Sequence, residues 1–119
     1  MRQISFNKNH NNKLDCDYFT TIRLHNAMLV TSTPVEILLS GKVIGRALII
    51  AKKSFALKQI NHFIAYIDAG MSPGNLIHWM QRMYKQEDPY LDMYLLKWTD
   101  RPPRETPLPT AVQKNIFYK

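Results

Sequence analysis

The sequence predicts a small α+β domain, and three observations carry that prediction. Stretches rich in β-branched and aromatic residues open and close the central part of the chain, and between them the apolar residues switch to spacings of three and four. With 45% apolar and 11% aromatic residues in 119, the chain can bury one core. The predicted order is strand, two strands, two helices, strand, within residues 17–98. Residues 1–16, polar and rich in Asn and Lys, read as a flexible lead-in or short edge element, and residues 99–119 as a proline-rich tail.

Each element has its own signal. "YFTTIRL" alternates, placing Phe19, Thr21 and Arg23 on one face and Thr20, Ile22 and Leu24 on the other. In "PVEILLSGKVIGRALIIAKK" the turn Ser40-Gly41-Lys42 splits two strand-like runs into a hairpin, and Gly45 marks a bulge or a close approach by another group. "SFALKQINHFIAYIDAG" places Leu57, Ile60, Phe63, Ile64 and Ile67 at helical spacing, ending at Gly70. Ser72 and Pro73 supply an N-cap and a first-turn proline for a helix over 73–85, with Leu76, Trp79, Met80 and Met83 as its core stripe. "PYLDMYLLKW" returns to strand. Four of the seven prolines then fall at 102, 103, 107 and 109, which predicts no regular structure over 101–110.

Composition narrows the function. No apolar run approaches the roughly 20 residues of a membrane-spanning helix, and the N-terminus lacks the apolar region of a secretory signal. Cys16 is the only cysteine, so no internal disulfide forms, which fits a cytoplasmic protein. The four histidines show no paired spacing, so no metal site is expected, and no cofactor. The scattered glycines make no phosphate loop, and no pair of carboxylates stands ready for acid/base work.

The charge pattern is more informative. The net charge is +7, and between Glu36 and Asp68 there is no acidic residue, whereas Lys42, Arg46, Lys52, Lys53 and Lys58 all lie there. An anionic partner follows. Arg23 stands out as a guanidinium on a strand beside the Thr21 hydroxyl and near Arg46 on a possible partner strand, a geometry suited to a phosphate or carboxylate. An ordinary reading competes: Arg23 as a solvent-facing strand residue, paired across to Glu36.

"FTTIRL", "VEILLSGKVIGRALII", a helix, a Ser-Pro-initiated second helix and "YLDMYLLKW" together resemble the ASCH domains of the PUA-like superfamily, over residues 17–98. That resemblance implies a small mixed β-barrel flanked by two helices, with an RNA or nucleoside cleft beside the first strand. It places Thr21 and Arg23 in that cleft. We therefore expect a non-catalytic module that binds RNA or a nucleotide through Arg23, Arg46, Lys42, Lys52 and Lys53, with Tyr18 or Phe19 stacking on bases. Some relatives hydrolyse acetylated cytidine with a lysine, a threonine and a glutamate. Here the threonine matches Thr21, but the lysine position holds Tyr18 and the glutamate position falls at about Asn75. Neither replacement can serve in the same role, which leaves Lys13 from the lead-in as the remaining source of an amine. A nucleoside amidohydrolase with a rearranged site is thus the alternative, and a protein partner recruited by the proline-rich tail is a third.

Overall fold

The computed structural model describes residues 1–101. One sheet holds β1 (Arg2–Phe6), β2 (Tyr18–Leu24), β3 (Pro34–Leu39), β4 (Lys42–Ala56) and β5 (Tyr90–Asp100) in the order β1-β3-β4-β5-β2, with α1 at His62–Ala69 and α2 at Pro73–Tyr84. β1 runs parallel to β3 and the other pairs are antiparallel. The sheet curls into a half-barrel, the mixed α+β architecture the sequence predicts.

The curl brings the sheet's two edge strands face to face. Phe6 of β1 and Phe19 of β2 pack edge to face at 6.2 Å although their strands lie at opposite ends of the sheet order. Among the described residues no backbone ladder closes this seam. Arg23 Nη2 instead reaches across from β2 to donate to the Ser5 carbonyl on β1 at 2.5 Å.

β1 lies in the segment expected as a flexible lead-in or short edge element. Its alternation buries Ile4 and Phe6 in the barrel, which is what holds so polar a segment in place. A 3₁₀ segment, His10–Asp15, then carries the chain to β2, fixed by buried Leu14, whose carbonyl accepts from Trp98 Nε1 at 3.1 Å. Arg101 ties the far end of β5 back to the same segment through Asp17 Oδ1 and the Asp15 carbonyl. The rest of the tail, including the predicted irregularity after 101, lies outside the described residues.

The β3–β4 hairpin turns at Ser40 and Gly41, both with positive φ (51° and 82°), as a tight twisted turn requires. Gly45 is a close approach: a Cβ there would overlap the Asp100 carbonyl oxygen and lie 2.9 Å from the Trp98 ring, and the register shifts on either side of it. Gly45→Ala should therefore cost about 1 to 3 kcal/mol as strand and ring are forced apart. Urea denaturation reads this directly, and an unchanged midpoint would contradict it.

Two cores flank the sheet. The barrel interior packs Phe19, Ile37, Ile49, Leu96 and Trp98, and the outer face packs Ile22, Phe55, Leu76, Met80 and Leu91 beneath the helices. α2 begins as predicted, with Ser72 Oγ accepting from Asn75 N. Its stripe is only partly buried: Leu76 and Met80 are core, Trp79 is half-buried and Met83 is exposed.

α1 departs from the expected phase. β4 stays paired with β5 through Ala56, a 3₁₀ turn covers Leu57–Gln59, and the helix starts only after Asn61, whose side chain caps Ile64 N at 2.9 Å. Leu57 and Ile60 are therefore buried ahead of the helix, Phe63 and Ile67 face outward at 77% and 60% exposure, and Ala65 and Asp68 face the sheet.

Candidate ligand-binding site at the barrel seam

β2 is an edge strand of the sheet, and Thr21 and Arg23, which share its inner face, lie beside the open seam. A cavity of about 250 Å³ occupies this gap between the end of β1, the 7–13 connection, β2 and the two helices. Phe6, Met80, Trp79 and Tyr84 form its apolar walls, and His10 closes one side by packing edge to face on Trp79 at 5.8 Å. Lys8, Lys13 and Arg23 supply positive charge, with Asp68 the one acidic residue in the lining among the described residues.

Arg23 is held in place before any ligand arrives. Its Nε donates to Thr21 Oγ1 at 3.0 Å, its Nη2 donates to Ser5 O, and its guanidinium lies 4.7 Å from the Phe6 ring centre. The fork keeps further N–H groups for an anion. Burial lowers the guanidinium's pKa from its ordinary value, and Tyr84 and Asp68 oppose that shift. Burial also raises the Tyr84 phenol, so Tyr84 is a neutral hydrogen-bonding group at physiological pH.

Beside the arginine lies a lysine, aspartate and threonine cluster. Lys13 Nζ donates to Asp68 Oδ1 at 2.8 Å and to the Thr20 carbonyl at 2.9 Å, and Thr20 Oγ1 donates to the same Asp68 oxygen at 2.9 Å. Both charged side chains are largely buried, at 11% and 6% exposure. Lys13 thereby joins the β1–β2 connection to α1, and the residue also lines the cavity.

Behind β2, Asp92 of β5 organises a second polar cluster. It is fully buried opposite Arg23 in the strand register, and it accepts from Ser54 Oγ (2.5 Å), Asn26 N (2.8 Å), His25 Nδ1 (2.9 Å) and Tyr94 Oη (3.1 Å). An ionised carboxylate only accepts, so His25 Nδ1 carries the proton in that contact. Burial by itself would raise the Asp92 carboxyl, but the hydrogen bonds from His25, Ser54, Asn26 and Tyr94 outweigh it and hold the group at about 2. Burial, then the Asp92 charge, pushes the Tyr94 phenol above its ordinary range.

Of the residues singled out in the sequence, Thr21 and Arg23 line the cavity. Lys52 is committed elsewhere: its ammonium donates to Asn26 O at 2.8 Å and Leu29 O at 2.6 Å and stands 3.5 Å from Asp92, clamping the β2–β3 loop. Lys42 is exposed at the hairpin turn and Lys53 is exposed on β4. Arg46 is not next to Arg23, because β2 pairs with β5 and not with β4; it stands across from Glu36 and Asp100. Tyr18 is 53% exposed with Lys97 over its ring, and Phe19 is buried in the barrel. Asn75 is exposed at the start of α2.

The residues that sequence reasoning did not assign to a site are Phe6, Lys8, His10, Asp68, Trp79 and Tyr84. A usable signal existed for Asp68: starting α1 at the Asn61 cap puts it on the inward face with Ile64 and Ala65.

No family model and no curated protein matches this chain. Solved structures do match. A mutant of ZmASCH from Zymomonas mobilis is similar at a TM-score of 0.58 and 15% identity, covering 96% of this chain and 92% of that one. A second ZmASCH mutant gives 0.55 and 17%, covering 97% and 79%. A DUF984 protein from Enterococcus faecalis gives 0.61 and 6%, covering 81% and 72%. At these identities the likeness concerns the fold, and this chain has the ASCH fold.

Proposed function

We propose that the protein binds a nucleotide unit, free or within RNA, in the cavity at the barrel seam. One observation carries the reading: Lys8, Lys13 and Arg23 converge with Phe6, Trp79 and Tyr84 on a single concave space, and the one carboxylate there is already paired with Lys13. Cations beside aromatic faces suit a phosphate next to a base, because the charges hold the phosphate while the rings stack sequence-tolerantly. The space of about 250 Å³ is at the lower edge of ordinary ligand sites, which run from roughly 300 Å³ upward. It therefore suits one nucleotide and not a length of duplex. Isothermal titration with uridine and cytidine 5′-monophosphates and their nucleosides tests this. The monophosphates should bind more tightly, and the difference should shrink with added salt. No binding of any of the four would contradict the reading.

The Lys13, Asp68 and Thr20 cluster supports a second reading, hydrolysis of an acylated nucleoside. The amine and carboxylate missing at Tyr18 and Asn75 are supplied from Lys13 and Asp68, beside Thr20 and Thr21. Such a constellation orders a hydroxyl and a proton acceptor against a bound amide. Incubation with acetylated cytidine should then release acetate, and Lys13→Ala should abolish the release. No turnover by the wild type leaves the binding reading alone.

A further inference from the structure

The cavity does not end at Arg23. A second, more open chamber of about 280 Å³ adjoins the guanidinium under the β2–β3 loop, and among the described residues only Arg23 and Tyr84 line both chambers. The two chambers follow the same seam, the first toward Lys8 at the C-terminal end of β1 and the second toward Gln3 and Ile4 nearer its start.

Resting on the nucleotide reading above, we propose that the site takes a dinucleotide, with the internucleotide phosphate on Arg23 and one nucleoside in each chamber. The linings support this division. The first chamber holds Trp79 and His10, and the second holds Tyr94, Leu24 and Leu29 with Asn26 at its rim. Each therefore joins apolar wall to hydrogen-bonding groups. Charge is distributed differently among the described residues: Lys8 and Lys13 line the first chamber only, and Arg23 is the single cation of the second. A second phosphate beyond the first would thus find its partner at the Lys8 end, whereas the far end favours a neutral base or ribose. Arg23 is built for the shared position, because Thr21 Oγ1, Ser5 O and the Phe6 ring fix its plane while N–H groups stay available at the partition.

The experiment compares uridine 5′-monophosphate with the dinucleotide UpU by isothermal titration, for the wild type and Asn26→Asp. Asn26→Asp keeps the side-chain oxygen that accepts from Met28 N, so the loop is preserved. It adds a negative charge beside the second chamber. The wild type should bind UpU at least about tenfold more tightly than the monophosphate, as expected for one added base packed on an apolar wall. In the variant this ratio should fall toward one. UpU binding no more tightly than the monophosphate would overturn the two-chamber inference while leaving the nucleotide site intact, and so would a ratio unaltered in the variant. Failure of the monophosphate itself to bind would remove the nucleotide reading.

Discussion

Replacing Asp92 by alanine is expected to destabilise the protein by about 3 to 5 kcal/mol, because it leaves a set of buried donors without their acceptor. The carboxylate is fully buried and receives Ser54, His25, Tyr94 and the Asn26 N–H, with the Lys52 ammonium close by. Among the described residues no buried side-chain polar atom lacks a partner, so nothing nearby is free to compensate. Acid should reach the same cluster. A carboxyl at about 2 in the folded state sits below its unfolded value of about 3.9. Its contribution is therefore fully present above about pH 4 and is lost as pH falls toward 2, amounting to about 2 to 3 kcal/mol. Asp92→Asn should be less stable than the wild type at pH 7, and the gap should narrow below pH 4. Urea midpoints across pH test this, and a gap independent of pH would contradict it.

Arg23→Ala should weaken nucleotide binding by about 1.5 to 3 kcal/mol, the range for a lost charge-assisted hydrogen bond. The residue bridges the two edge strands, so stability must be measured alongside binding. Arg23→Lys separates the two roles. It keeps a charge at the seam but loses the fork fixed on Thr21 and Ser5, and should recover only part of the affinity. Full recovery by lysine would mean that the site needs charge alone.

The sequence was most legible where one local signal decides the outcome. Ser72 and Pro73 set the start of α2, Ser40-Gly41 set the hairpin turn, and the alternation of "YFTTIRL" set β2. α1 was harder because the apolar residues at 57 and 60 belong to the end of a strand and its turn, while their spacing continues the helical pattern. β1 carries only Ile4 and Phe6 as buried residues, too few to stand out in a polar segment, and its parallel pairing with β3 is a long-range fact. The site divides in the same way. Thr21 and Arg23 announce themselves within one strand, but Lys13, Asp68 and Trp79 meet them only through the curl of the sheet and the packing of two helices. The basic block between Lys42 and Lys58 illustrates the limit of charge counting. Along β4, neighbouring lysines point to different surroundings, so Lys52 is turned into the fold while Lys53 faces solvent.

The central claim is that a nucleotide enters the cavity against Trp79, and tryptophan fluorescence tests it most directly. The protein has two tryptophans; Trp98 is 8% exposed and bonded within the barrel, while Trp79 lines the cavity. Titration with uridine 5′-monophosphate should produce a saturable change in emission for the wild type and none for Trp79→Phe. No saturable change in the wild type, or the same change without Trp79, would contradict a ligand site at the seam.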